Sequence, residues 1–259
     1  MAQSCMNNES IMNETVLTLD VDWAPDFMID FAAQILLEHR VRATWFITHD
    51  SPALQRLRAQ PDLFELGIHP NFLTGSTHGQ TPEAVLRHCM SLVPEALSLR
   101  THALYQSTPL LARILASTPI RNEASLYLPH APSLFPFEYE WHGRTLLRIP
   151  HFWEDDFEMA RARPIWSLEP LLKIGSGLKV FDFHPIHVYL NSCNFDPYEA
   201  LKQQVPNLVG ARQSDVASCV QKGIGTRVLF AEVVEHLAHT GSSLRLKDIG
   251  AQLAQSGER

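Results

Sequence analysis

The sequence is poor in several features that would narrow its class at once. Cysteine is scarce: Cys5, Cys89, Cys193 and Cys219 are scattered, and no two form a C-x-x-C pair. Thiols so placed read as reduced, which points to the cytoplasm. Long apolar runs are missing, and no window approaches the roughly 18 uninterrupted apolar residues of a membrane-spanning helix. Positive charge is short as well, with 21 Lys and Arg against 28 Asp and Glu and a net charge of −7. The overall basic footprint of a nucleic-acid binder is therefore absent. The N-terminal stretch MAQSCMNNESIMNE has neither the basic region nor the apolar core of a signal peptide, so export by that route is not expected. Internal repeats and low-complexity tracts are lacking too.

What is present is an ordinary globular composition: 259 residues, 45% hydrophobic and 19% charged. That is enough for one large domain or two small ones. Histidine is frequent, with thirteen residues, several beside Pro, Gly, Asp or Thr. Short β-prone runs alternate with helical apolar spacing. Val16–Leu19, Ala43–Ile47, Phe64–Ile68, Leu97–Leu99 and Leu178–Phe183 read as strands. Ser51-Pro52, Thr81-Pro82 and Ser107-Thr108-Pro109 read as helix starts. FEYEWHGRTLLRIP reads as a hairpin turning at His142-Gly143, and the chain from about Glu199 reads as mostly helical.

This alternation implies an α/β protein with a largely parallel sheet. Polar residues gather just after the strands: Asp20 and Asp22, His49 and Asp50, His69, Arg100 and His102, His184 and His187. In an α/β barrel such strand ends share one face, the face that carries the active site. Acids and histidines there suit a divalent metal with an open position for water. If the first strand continues through Asp20 and Asp22, the period of two points both acids to one side. One would hold the metal and the other take a proton. His184 or His187 fits the acid that protonates a leaving group.

The segments TLDVDW, ATWFITHDSP, ELGIHPNFLTGSTHG, LRTHALYQST, IPHFWEDD and VFDFHPIHVYLN carry a resemblance when taken in order. The sequence resembles the polysaccharide deacetylase family, carbohydrate esterase family four, and within it the WbmS-like branch. The resemblance implies a distorted (β/α) barrel over about residues 15–195, with extra C-terminal helices over about 196–259, in one domain. It implies a metal-dependent hydrolase that removes an N-acetyl or N-formyl group from an amino sugar. By the same resemblance Asp20 is the base, Arg100 holds it, Asp22 and His69 bind the metal, and His184 is the general acid. Trp153 with Asp155 or Asp156 would wall the acyl pocket. The implied metal is Zn2+, with Co2+, Mn2+, Ni2+ or Fe2+ as substitutes.

Two departures stand out. The family places its two ligand histidines four apart, yet Leu73 stands four residues after His69, and His78 is the next histidine. His78 is the expected third ligand, brought back by its loop; failing that, His49 or His187 supplies it or the site is metal-poor. Thr101-His102 follows Arg100 where much of the family has a proline. Trp23, His49, His102, Trp153, Asp155 and His187 are the candidate substrate contacts. Plainer readings stand beside these. Asp20 and Asp22 would cap the next helix, though Asp26 sits better for that. Trp153 would be a packing aromatic, and His187 a support for His184. The expected substrate is a nucleotide-linked or lipid-linked amino sugar of surface-polysaccharide synthesis. The alternatives are a catalytically silent carbohydrate-binding protein, or a metal-dependent hydrolase of a non-sugar amide.

Overall fold

The computed structural model describes residues 14–257. The N-terminal stretch read above for an export signal lies almost wholly outside the described residues. Eleven strands are present among them: β1 Thr15–Asp20, β2 Ala43–Ile47, β3 Phe64–Ile68, β4 Ser98–Leu99, β5 Asn122–Glu123, β6 Ser133–Leu134, β7 Phe137–Trp141, β8 Arg144–Arg148, β9 Trp153–Glu154, β10 Ser176–Gly177 and β11 Lys179–Phe183. Nine of them form one sheet in the order β7-β8-β5-β4-β3-β2-β1-β11-β9, and β6 pairs with β10 separately. All ladders of the large sheet are parallel except the β7–β8 hairpin. That hairpin turns at His142 and Gly143, both at positive φ, as a two-residue loop requires.

The central strands β1, β2, β3 and β11 are buried along their whole length. This is the mark of a parallel sheet covered on both faces. The sheet curls into an incomplete barrel. Helices cover the outside, and three of them open as expected on a hydroxyl cap. Ser51 accepts from the Leu54 N–H, Thr81 from Ala84 and Ser107 from Leu110.

Register decides which residues share the lumen. Asp182, Thr18, Thr44 and Glu65 lie side by side on β11, β1, β2 and β3. Two residues further along come Asp20, Phe46 and Gly67, with His184 just past β11. Gly67 is needed here, because a Cβ would stand 2.8 Å from both the Phe46 ring and the Ser98 carbonyl oxygen. The helix Leu246–Gly257 closes the far end. Its Leu246 and Ile249 pack with Val16, Phe46, Ala124, Ile149 and Val180, and both are fully buried. Burial of each stabilises the plug by about 1.5–3 kcal/mol. The C-terminal helices therefore pack on the barrel. No helix of the described residues is long and apolar enough to cross a membrane.

Candidate active site

β1 stops at Asp20, so the two acids are not successive members of one strand face. The Val21 N–H still donates to the Phe46 carbonyl, but Asp22 and Trp23 then take φ values of 43° and 54°. Two left-handed residues in a row, neither a glycine, make a strained turn. It is held by the Trp23 N–H, which donates to Thr48 Oγ1 at 3.0 Å. The turn carries Asp22 toward the mouth of the barrel, with its side chain 21% exposed against 3% for Asp20.

Asp22 Oδ1 lies 3.0 Å from His69 Nε2 and 3.1 Å from His102 Nδ1. One ligand atom from each of these three residues lies within 4.8 Å of the others. Burial works against the charge on Asp22, but hydrogen bonds from His102 and His69 overcome it and hold the carboxyl well below its usual range. Burial also disfavours a proton on His69, yet the charge of Asp20 and the hydrogen bond to Asp22 raise its pKa. A cation between the three groups would replace that proton. Two imidazoles and a carboxylate at an open mouth form a donor set for zinc or a similar divalent metal. Two further acid–histidine groups lie nearby, Asp20-Asp182-His184 and Glu154-Asp156-His184. Of their acids, Asp20 and Asp182 meet Arg100 and Glu154 meets His151 at 2.6 Å. The Asp22 group has two imidazoles on one carboxylate at the open mouth, and its donors fit a divalent metal.

His78, the expected third ligand, is tied up elsewhere. Its Nε2 faces the Thr48 carbonyl at 2.8 Å, and its Nδ1 accepts from the Asn71 N–H at 3.1 Å. Its ring stacks on His88, and burial pushes its pKa down to about 4. A neutral imidazole with both nitrogens used holds the loop in shape. His102 stands with Asp22 and His69 instead. It reaches them because β4 runs beside β3: beyond the Ile68–Leu99 pair the His102 N–H donates to the Pro70 carbonyl at 3.0 Å, and the His69 and His102 rings lie 5.5 Å apart.

Arg100 is fully buried and reaches across the lumen. Its Nη1 donates to Asp20 Oδ1 at 3.0 Å, and the other Asp20 oxygen lies 3.5 Å from His69 Nε2. His184 is gripped by Asp155, which takes the ring Nδ1 at 2.6 Å and the backbone N–H at 2.9 Å. Its Nε2 faces Asp22 Oδ2 at 3.6 Å. Burial disfavours the imidazolium, but the charge and hydrogen bond of Asp155 raise the His184 pKa well above the ordinary value.

The remaining candidates divide. Trp23 sits edge-on to His102 at 5.1 Å and faces the site. His187 is buried 5.7 Å from the His184 ring, bonded to Ser192, with its pKa pushed to about 3 by burial and by His184. His49 bonds Thr48 Oγ1 through Nδ1 and joins none of the acid–histidine groups among the described residues. Trp153 has no exposed surface and packs against Phe183, Phe181 and Trp166, so it presents no face to a substrate. Asp155 has both oxygens committed to His184 and is a support for it, not a pocket wall. The sequence reading missed Asp182, which shares Arg100 with Asp20. The signal was there: in V-F-D-F-H the period of two sets Asp182 on the face of His184.

A curled barrel with acids after its first strand and a carboxylate-held histidine after its last defines a polysaccharide-deacetylase type of fold. The family model of WbmS-like polysaccharide deacetylases matches residues 17–202, and the chain belongs to that family. It is similar to the crystal structure of WbmS from Bordetella bronchiseptica, provisionally described as a polysaccharide deacetylase involved in O-antigen biosynthesis. Identity is 30%, the match covers 88% of this chain and 92% of that one, and the TM-score is 0.77. The T48 deacetylase with substrate is 12% identical with a TM-score of 0.50, covering 93% of this chain and 92% of that one. The Xyl-CE4 domain of a xylanase from the hindgut metagenome of Trinervitermes trinervoides is also 12% identical at 0.50, covering 95% and 92%. The last two show the fold alone. No curated protein sequence matches the chain.

Proposed function

We propose that this chain is a metal-dependent deacylase that removes an N-acetyl or N-formyl group from an amino sugar of surface-polysaccharide synthesis. The observation that carries the reading is the convergence of Asp22, His69 and His102 beside Asp20 and His184. Asp22, His69 and His102 would hold the metal, in place of the set with His78. When bound, a divalent cation, by preference Zn2+, polarises the acyl carbonyl and acidifies water. Asp20 takes the water proton on Oδ2, while Arg100 keeps Oδ1. His184, protonated at neutral pH and oriented by Asp155 through Nδ1, donates from Nε2 to the departing amine. Trp23 and His187 line the approach. A formyl and an acetyl group differ by one methyl, which a pocket distinguishes by only ~1–3 kcal/mol.

The barrel and C-terminal helices act as one domain, and the enzyme works in the cytoplasm on a nucleotide-linked or lipid-linked sugar. The family and the similarity to a protein described for O-antigen biosynthesis support this reading. The test is release of acetate or formate from N-acylated amino sugars, free, nucleotide-linked and lipid-linked, before and after chelation and Zn2+ return. Release that chelation stops and Zn2+ restores is expected. A metal-loaded protein that releases neither acid from any of them would overturn the reading.

A further inference from the structure

An arginine that meets a single buried carboxylate ordinarily closes on both oxygens with its planar fork. Arg100 does not do this to Asp20. Only Nη1 reaches Asp20, at Oδ1, and Nη2 is buried without a partner among the described residues. The guanidinium is held by other contacts. Nε donates to the Ala124 carbonyl at 3.0 Å, Nη1 meets Thr18 Oγ1 at 3.0 Å, and Cζ lies 4.7 Å from the centre of the Phe46 ring. Nη1 also donates to Asp182 Oδ1. Asp182 sits one layer deeper than Asp20, opposite Thr18, whose hydroxyl lies 2.6 Å from the same oxygen. It is fully buried and is the other carboxyl that meets this arginine.

We propose that Asp182 is a positioning residue that draws Arg100 down into the lumen and prevents it from forking onto Asp20. One Asp20 oxygen is thereby kept free at the mouth. The inference rests on the reading of Asp20 as the base, since a base needs an oxygen that is not already occupied. Asp182 touches no reacting atom and works through Arg100. Without it, Arg100 is released to bring its unpartnered Nη2 onto the second oxygen of Asp20, and the base is blocked by its own support.

The test is crystal structures of wild type, Asp182→Ala and Asp182→Asn, with kinetics of acetate release from an N-acetylglucosamine tetramer. In Asp182→Ala, Arg100 is expected to contact both Asp20 oxygens. In Asp182→Asn, which keeps an acceptor, it is expected to contact one. The kcat of Asp182→Ala should fall at least ~10-fold, with KM unchanged within about two-fold, and Asp182→Asn should recover most of it. Arg100 holding the single Asp20 contact in Asp182→Ala would overturn the inference, as would an unchanged kcat. If Asp182→Ala does not fold, Asp182→Ser, too short to reach Arg100, is read in the same way. Asp20→Asn run alongside separates the two claims. Full activity there sinks the base, while the Arg100 geometry is still decided by the crystals.

Discussion

The two ends of the barrel lumen both bury a carboxylate, and they treat it in opposite ways. At the closed end, Glu65 is saturated by uncharged donors. Ser98 Oγ gives one hydrogen bond at 2.6 Å, Thr44 Oγ1 another at 2.8 Å, and the Lys247 N–H a third at 2.9 Å. The last of these caps the helix that plugs the lumen. Burial raises the Glu65 pKa, and these hydrogen bonds only partly offset it. At the open end, Asp22 is met by two imidazoles from different strands, Asp20 by an arginine that leaves one of its oxygens free, and His184 by a carboxylate. A buried acid whose oxygens are filled by hydroxyls and backbone N–H groups reports architecture. One that faces titratable groups, with a lone pair to spare, reports chemistry.

The largest effect that would sharpen this contrast is at Asp20. Asp20→Asn should lower kcat by about 10²- to 10⁴-fold with the melting temperature nearly unchanged; a mutant at full rate would erase the contrast. Next comes the metal set. His102→Ala should weaken Zn2+ binding, read by competition with a chromogenic chelator, by at least ~10-fold. His78→Gln should leave Zn2+ affinity in place and lower thermal stability; the reverse pattern would restore His78 as the ligand.

A smaller effect concerns pH. The His184 pKa is raised by Asp155, so the acid is protonated at neutral pH and is lost as pH rises through that raised value. In Asp155→Asn the pKa drops, and the alkaline limb of kcat/KM should move to lower pH. A limb that stays put would separate Asp155 from the acid. The smallest effect on activity is at the closed end. Glu65→Leu should cost about 1–3 kcal/mol of stability by denaturant titration, because Thr44, Ser98 and the helix N–H lose their acceptor. Its kcat should match wild type, and a large loss would mean that the closed end communicates with the mouth.

Much of this could be read from local pattern. Val16–Leu19 followed by two acids, hydroxyl-proline helix starts and the His142-Gly143 turn are short-range signals, and the described structure has the corresponding strands, caps and hairpin. Other features were out of reach of spacing. His78 was favoured because it is the next histidine along the chain after His69. Yet distance along a chain says little where parallel strands bring their ends together, and His102 arrives from the neighbouring strand. Trp153 and Asp155 were read as pocket walls from the resemblance of their segment to that of the family. A short edge strand instead turns Trp153 into the core and Asp155 toward His184.

The order of residues alone settles the composition, the strand–helix alternation, and the placing of acids and histidines just after strands. These follow from periodicity and propensity, which act over a few residues. Tertiary structure decides which of those residues meet. Register across β11, β1, β2 and β3 sets Asp182 below Asp20, and the strained Asp22-Trp23 turn brings the second acid to His69 and His102. Asp20 and Asp22 thus remain a pair in sequence, but their partners come from strands far away in the chain. Ion pairs and metal sites depend on distances of a few ångströms, and only the curled sheet sets those distances.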